Sequence, residues 1–325
     1  MSFFSLLAVF LLEQLQPLSY RRFVRTPVHA LADLLAARLN AGAYRHGVLA
    51  TLVVLVPLLA GLLILYVLLD AANPLLAWAL NVLVLYFTMG FRQFSHHYTA
   101  ILEALEEGDL PAARQLLADW RYANGVPPSC HGRPEQTEDI AREAIELALM
   151  GAHRHVFAVL LWFILLPGPI GAVLYRVTSL LAEAWRQGDT VVGGQRSEFP
   201  LFARRLFEML DWLPARATAA AFAIVGNFED TVYCVRQEAD NWSDPSTGII
   251  LAGASGALGV RLGNHVPVAV APDGLDEFSV PAEVEEPFGQ EAGIDFMRSA
   301  IGLVWRATVL WVLLLFLLGL ASFFG

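Results

Sequence analysis

The chain has 325 residues, 56% of them hydrophobic and 16% charged, with a mean hydropathy of +0.54. Soluble domains carry about 25% charged residues, so the composition points to several apolar spans joined by polar loops. The net charge of −10 argues against nucleic acid as a partner. All 21 basic residues are arginine, which excludes a Walker-type phosphate loop and any Schiff-base lysine. The two cysteines, Cys130 and Cys234, form no CxxC pair, so no disulfide or zinc framework is indicated.

The N-terminus, Phe3 to Leu15, is apolar and short for a span. No basic residue precedes it, and Arg21, Arg22 and Arg25 follow it. That order predicts a retained segment with its N-terminus outside rather than a cleaved signal. Pro27 to Leu39 has apolar residues at helical spacing around Asp33 and Arg38, an amphipathic helix for the cytoplasmic surface. Val48 to Leu69 reads as a full span, Asp70 to Pro74 as a turn, and Leu75 to Phe91 as a third apolar run ending at Arg92. Arginines on both sides of this hairpin place its flanks in the cytoplasm.

From Arg92 to His155 the chain turns polar and reads as a helical cytoplasmic lobe, with a capped helix over Thr137 to Met150 whose Ile140, Ala144, Ile145 and Ala148 share one face. Val156 to Leu181 is apolar but broken by Pro167-Gly168-Pro169. Arginines flank it on both sides, so it is expected to dip into the membrane and return as two half-helices lining a cavity. Leu201 to Trp212 reads as an amphipathic helix ending near Pro214, and Ala215 to Gly226 as a separate buried helix. Ile249 to Gly263 has glycines at 253, 256, 259 and 263, spacing that lets helices approach closely. Asn264 to Gln290 is acidic and proline-rich, a linker. Ile301 to Phe324 has one charge, Arg306, and no proline. At 1.5 Å per residue it is about 36 Å long, enough to cross a core of roughly 30 Å.

The expected class is an all-α, polytopic helical membrane protein with a helical cytoplasmic lobe and a broken, re-entrant helix. Its segments are 1–91 (membrane helices plus the amphipathic helix), 92–155 (lobe), 156–263 (broken-helix and glycine-rich cavity region), 264–300 (linker) and 301–325 (last span).

Five places could carry chemistry. Arg92 and His96, where a span meets the cytoplasm, could bind phosphate or simply anchor the interface. Glu143 and Glu146, with His153 and His155 downstream, have ligand types but not HExxH spacing, and a solvated helix face is the plain alternative. Tyr175-Arg176 with Glu183 follows the Pro-Gly-Pro break, where an arginine near membrane depth is either functional or a snorkelling end. Asp211 and Arg216 flank Pro214 and could form a structural salt bridge. The glycine run from Gly248 to Gly263 could cradle phosphate or permit close helix packing. No metal site is expected.

Several of these stretches together resemble the CobD/CbiB family, membrane proteins of cobalamin biosynthesis. They are EALEEGDLPAARQLLADW at 103–120, AREAIE at 141–146, LYR at 174–176, LFEMLDWLPAR at 206–216 and SGALGVRLG at 255–263. Order and spacing match from about Leu31 to Gly263. The segment HHYTAIL is also similar to AmpE, a shorter relative linked to β-lactamase regulation. The family resemblance implies ATP-dependent amide formation, joining aminopropanol phosphate (or aminopropanol) to adenosylcobyric acid, with ATP and Mg as cofactors and a corrinoid as partner. It also implies a multi-pass protein of the bacterial inner membrane. Several polar family positions differ here: an Asn and an Asp fall on Ser179 and Ala182, and another Asn on Ser246. If the activity persists, Glu146 and Arg176 would be catalytic. Arg92, His96, Tyr175, Arg216, Gly256 and Gly259 would face substrate or phosphate. The alternative is a non-enzymatic, AmpE-like regulator. A small-solute transporter is a third reading, resting on the broken helix alone.

Overall fold

The computed structural model describes residues 2–15, 24–126, 136–187, 191–192, 195–242, 244–263 and 288–324. Cys130, Arg21, Arg22 and most of the expected acidic linker lie outside the described residues. The fold is all-α, with one short antiparallel pairing of Val191–Val192 with Gln195–Arg196. Among the described residues, three helical runs are long and apolar enough to cross a membrane: Tyr44–Ala72, Thr137–Leu165 and Ile294–Ala321. The chain divides into two compact units: one contains 1–96, 151–218 and 306–325, the other 97–150 and 219–305.

The first unit opens with helices α1 (Ser2–Leu15), α2 (Thr26–Leu39), α3 (Tyr44–Ala72) and α4 (Pro74–Thr88). The expected turn over 70–74 shrinks to one residue. Asn73 closes α3 by donating its backbone N–H to Leu69 O at 2.8 Å, and its Oδ1 accepts the Leu75 N–H at 2.9 Å to cap α4. Pro74 follows at the first helical position, where its missing N–H costs nothing. At about 1.5 Å per residue α4 is shorter than a hydrocarbon core. α3 presents Leu52, Val53, Val56, Ile64 and Leu68 outward, as lipid-facing side chains would be.

The same unit holds α8 (Ala158–Leu165) and α9 (Ile170–Gln187), separated at Pro167-Gly168-Pro169 where the sequence expects the break. The two helices pack on each other: a Cβ on Gly171 would lie 1.9 Å from Trp162 O, so only glycine fits. α9 also packs on α2 and α3. There Trp185 donates to Ala32 O at 3.1 Å and meets the Phe199 ring edge-on at 4.9 Å.

The second unit contains most of α5 (Phe91–Glu106), then α6 (Leu110–Ala123), α7 (Thr137–Ala152), α11 (Phe228–Glu238), α12 (Pro245–Leu258) and the first turns of α13 (Ile294–Phe324). Ile140, Ala144, Ile145 and Ala148 are buried together, as their spacing predicts. α11 and α12 pack backbone to backbone. A Cβ on Gly256 would sit 2.3 Å from Asp230 O, and one on Gly248 2.2 Å from Ala239 O. Beyond α12, Arg261 N–H donates to Gln290 O at 2.7 Å and Gln290 N–H to Gly259 O at 3.0 Å.

Three boundaries differ from the sequence reading. α7 continues through a π-helical turn, His153–Phe157, into α8, so the expected lobe boundary at 155 falls inside an unbroken helical run. The last helix begins at Ile294 rather than Ile301, because Asp295 and Arg298 make a polar first turn in front of the apolar stretch. Pro214 does not end a helix: α10 runs Leu201–Val225 straight through it. A proline at 214 removes the N–H that would bond Leu210 O, four residues back. Trp162 of α8 supplies the missing donor, its Nε1–H lying 3.1 Å from Leu210 O.

Two outcomes check this packing. Trp162→Phe should lower stability by about 1–2 kcal/mol with Pro214 present, because Leu210 O loses its donor. In a Pro214→Ala background the backbone supplies the donor, so a double-mutant cycle in thermal unfolding should show coupling of roughly 1 kcal/mol rather than additivity. Gly256→Ala should destabilise by about 1–3 kcal/mol through backbone overlap. Gly61→Ala, with open space around it, should be neutral or stabilising in the same assay.

Candidate functional site

A buried polar grouping lies in the first unit. The π-helical turn places His153 at its start, and His153 is fully buried. Its Nε2 lies 2.9 Å from Asp211 Oδ1 of α10, and its Nδ1 2.9 Å from Thr218 Oγ1, two turns further along the same helix. Tyr175 of α9, also fully buried, donates its hydroxyl to the same Asp211 oxygen at 2.7 Å. A carboxylate only accepts, so the ring proton that faces it sits on Nε2. π-turns of this kind gather at functional sites.

Asp211 is 2% exposed. Burial alone would raise its pKa, but the charge and hydrogen bond of His153 and the Tyr175 hydroxyl outweigh burial and hold it at about 2. It bonds these two residues rather than Arg216, which overturns the expected Asp211–Arg216 salt bridge. On one continuous helix, residues five apart do not face each other. Arg216 instead lies exposed over the Trp212 ring, 4.0 Å from its centroid, and donates to Trp212 O at 3.0 Å.

Beside this network, Arg176 is 4% exposed and donates from Nη2 to His155 Nδ1 at 2.7 Å. Arginine has no lone pair to offer, so His155 accepts at Nδ1 and is neutral in this bond. Glu183, two turns along α9, pairs with Arg25 at 2.5 Å. Tyr175 and Arg176 are therefore brought together with three residues that spacing did not connect to them: His153, His155 and Asp211. Each was visible as a polar residue in an apolar context, but the π-turn that aims both histidines has no sequence signal.

The remaining candidates stand elsewhere. Glu146 belongs to the second unit, half-buried, and accepts the Gly263 N–H at 2.7 Å. Its neighbour Glu143 is ion-paired with Arg121. Gly256 is filled by the α11 backbone, leaving no room for a phosphate on that side. Gly259 takes the left-handed conformation (φ +67°) that ends α12, while Asp244 caps the other end of that helix. His96 is exposed on α5, and the side chain of Arg92 lies outside what is described. Among the described residues, no three His, Cys, Asp or Glu side chains converge as metal ligands.

The buried carboxylate can be tested by substitution and by pH. Asp211→Ala leaves the Tyr175 hydroxyl and His153 without their acceptor and should cost about 3–5 kcal/mol. The folded pKa of about 2 lies below the ordinary value of 3.8. The stabilisation is therefore complete above about pH 4 and is lost as pH falls toward 2, roughly 2 kcal/mol in all. Unfolding scans in detergent should show that loss in the native chain and a flatter profile in Asp211→Asn.

A family model described as CobD/Cbib protein matches residues 20–267. The cobalamin biosynthesis protein CobD of Stutzerimonas stutzeri is 31% identical over 322 residues, covering 96% of each chain. The protein of the same name in Chromobacterium violaceum is 35% identical over 197 residues, 59% of this chain and 58% of that one. That of Synechocystis is 27% identical over 206 residues, 60% and 56% of the two. No solved structure matches. The likeness to AmpE gains no support from these matches. The family match spans α2 to α12 and takes in Tyr175, Arg176, His153 and Asp211, and the chain belongs to the CobD/CbiB family.

Proposed function

We propose that this chain is a multi-pass protein of the bacterial inner membrane that takes part in cobalamin biosynthesis. Its reaction is the one implied by the family resemblance: ATP-dependent joining of aminopropanol phosphate, or aminopropanol, to a carboxylate of adenosylcobyric acid. The observation that carries this reading is the match to a cobalamin biosynthesis protein along 96% of both chains.

The chemistry sets what the residues must do. An ionised carboxylate does not acylate an amine, so one of its oxygens must first become a leaving group. Phosphoryl transfer from ATP does this, and the C–N bond forms as phosphate departs and the amine loses a proton. Such reactions need cations at the phosphates and positioning more than covalent help from the protein. Arg176, held by His155, is the buried cation suited to an oxyanion, and Tyr175 fixes the turn of α9 that presents it. Arg92, His96 and Arg216 are further phosphate-facing candidates. Glu146 is the candidate acid of the second unit. Gly256 and Gly259 contribute by shaping the α12 end. Mg²⁺, as the family resemblance implies it, would enter on the ATP phosphates as part of the substrate and supply charge neutralisation there.

Expression in a bacterium lacking its adenosylcobinamide-phosphate synthase tests the reading. Cobamide-dependent growth from cobyric acid should be restored by the native chain and lost with Arg176→Ala. No growth despite good membrane expression would contradict it.

A further inference from the structure

We infer that the exposed arginines Arg38, Arg45, Arg186, Arg204 and Arg205 form one belt that holds anionic phospholipid headgroups at the N-terminal end of α3. They come from four helices, and the structure ties the ends of those helices into a single joint of the first unit. α2 ends there: Leu39 packs on the core of Ala50, Trp185, Phe199 and Ala203, and Ser197 donates to Asn40 Oδ1 at 3.1 Å. α3 begins there: a Cβ on Gly47 would lie 2.1 Å from Phe199 O, and the Tyr44 ring meets Phe202 edge-on at 6.0 Å. α9 ends there, with the Trp185 ring 4.9 Å from that of Phe199. α10 starts there, with the Arg205 guanidinium 5.7 Å from the centroid of the Tyr44 ring. Arg38, Arg45, Arg186 and Arg204 are the chain neighbours of Leu39, Tyr44, Trp185 and Ala203, so all five arginines surround the joint.

The depth of the joint follows from α3. Leu49, Leu52, Val53 and Val56 face outward just beyond Arg45, so hydrocarbon begins within about one helical turn, roughly 6 Å, of that arginine. α2 presents Leu31 and Leu34 outward with Arg38 one turn further on, the layout of a helix lying in the headgroup layer. The exposed carboxylates at this end are Asp33, Glu198 and Glu208, and Glu208 is engaged by Arg204 at 3.2 Å. Glu183 is held by Arg25. Five guanidinium groups against three carboxylates leave an excess of two positive charges. Guanidinium forks match phosphate oxygens, and only an anionic headgroup also answers the excess charge.

The inference rests on the reading of the chain as a multi-pass membrane protein, but not on the amide chemistry.

The test uses the full chain in phosphatidylcholine nanodiscs with a graded fraction of phosphatidylglycerol, followed by thermal unfolding. Phosphatidylglycerol should raise the midpoint saturably, and less so as salt is raised. Arg45→Gln and Arg186→Gln, both at exposed positions, should each weaken its apparent affinity about fivefold, the effect of one arginine near a charged surface. Neither should move the midpoint in phosphatidylcholine alone. Arg236→Gln, exposed on α11 of the second unit, should behave as the native chain. Inorganic phosphate at matched ionic strength should leave the midpoint where it is. A chain that enters the discs but gains nothing from phosphatidylglycerol overturns the proposal. So does a gain that Arg45→Gln and Arg186→Gln leave intact, or one that Arg236→Gln weakens as much. Stabilisation by inorganic phosphate that Arg45→Gln weakens overturns the assignment to lipid. A chain that does not enter the discs overturns the membrane reading and the proposal together. No corrinoid or ATP is present, so failure of the ligase reading would leave a positive result standing.

Discussion

The carboxylate of Asp211 sits where an unpaired charge would cost several kcal/mol, and the first unit is arranged to prevent that. Its two donors come from different places: Tyr175 from α9 and His153 from the π-turn. Thr218, two turns further on α10, completes the shell of His153. One buried oxygen thus ties three elements at a fixed height and rotation. Arg176 and His155 are the next functional positions on two of those elements, so their mutual bond inherits its geometry from Asp211. The polar network is deep and satisfied, and the cation it positions lies at its edge.

The same rule of satisfied backbone governs the rest of the unit. Pro214 strips a donor from α10, and Trp162 replaces it from α8, so a residue that usually ends helices instead links two of them. In the second unit, α11 and α12 are held by absent side chains rather than by polar ones: Gly248 and Gly256 let carbonyls of the neighbouring backbone approach to distances no Cβ would permit. The SGALGVRLG stretch is therefore packing surface over Gly256 and a helix end at Gly259.

Much of the fold could be read from sequence because lipid imposes a simple demand. A run without charge and long enough to cross must be a helix, which made α3 and α13 plain, and Pro-Gly-Pro marked the break between α8 and α9 equally well. What escaped were tertiary overrides. Pro214 reads as a stop unless the donor fifty-odd residues away is known. Asn73 reads as part of a five-residue turn because its two caps are geometric. The start of α13 at Ile294 was hidden by Asp295 and Arg298, which are polar yet helical. At the site, Tyr175, Arg176, His153, His155 and Asp211 were each visible as polar residues among apolar ones. Their grouping was not, because it joins side chains from α9, α10 and the π-turn that lie far apart in sequence: His153 meets Asp211 of α10 and His155 meets Arg176 of α9.

The proposed activity is amide formation by a family scaffold with altered polar positions. The most direct measurement is in vitro: the purified chain in nanodiscs, given Mg-ATP, adenosylcobyric acid and aminopropanol phosphate, with the corrinoid followed by mass spectrometry. The account predicts the amide adduct, dependent on ATP and lost in Arg176→Ala. Unchanged adenosylcobyric acid from well-folded protein, with each substrate present in excess, would contradict it.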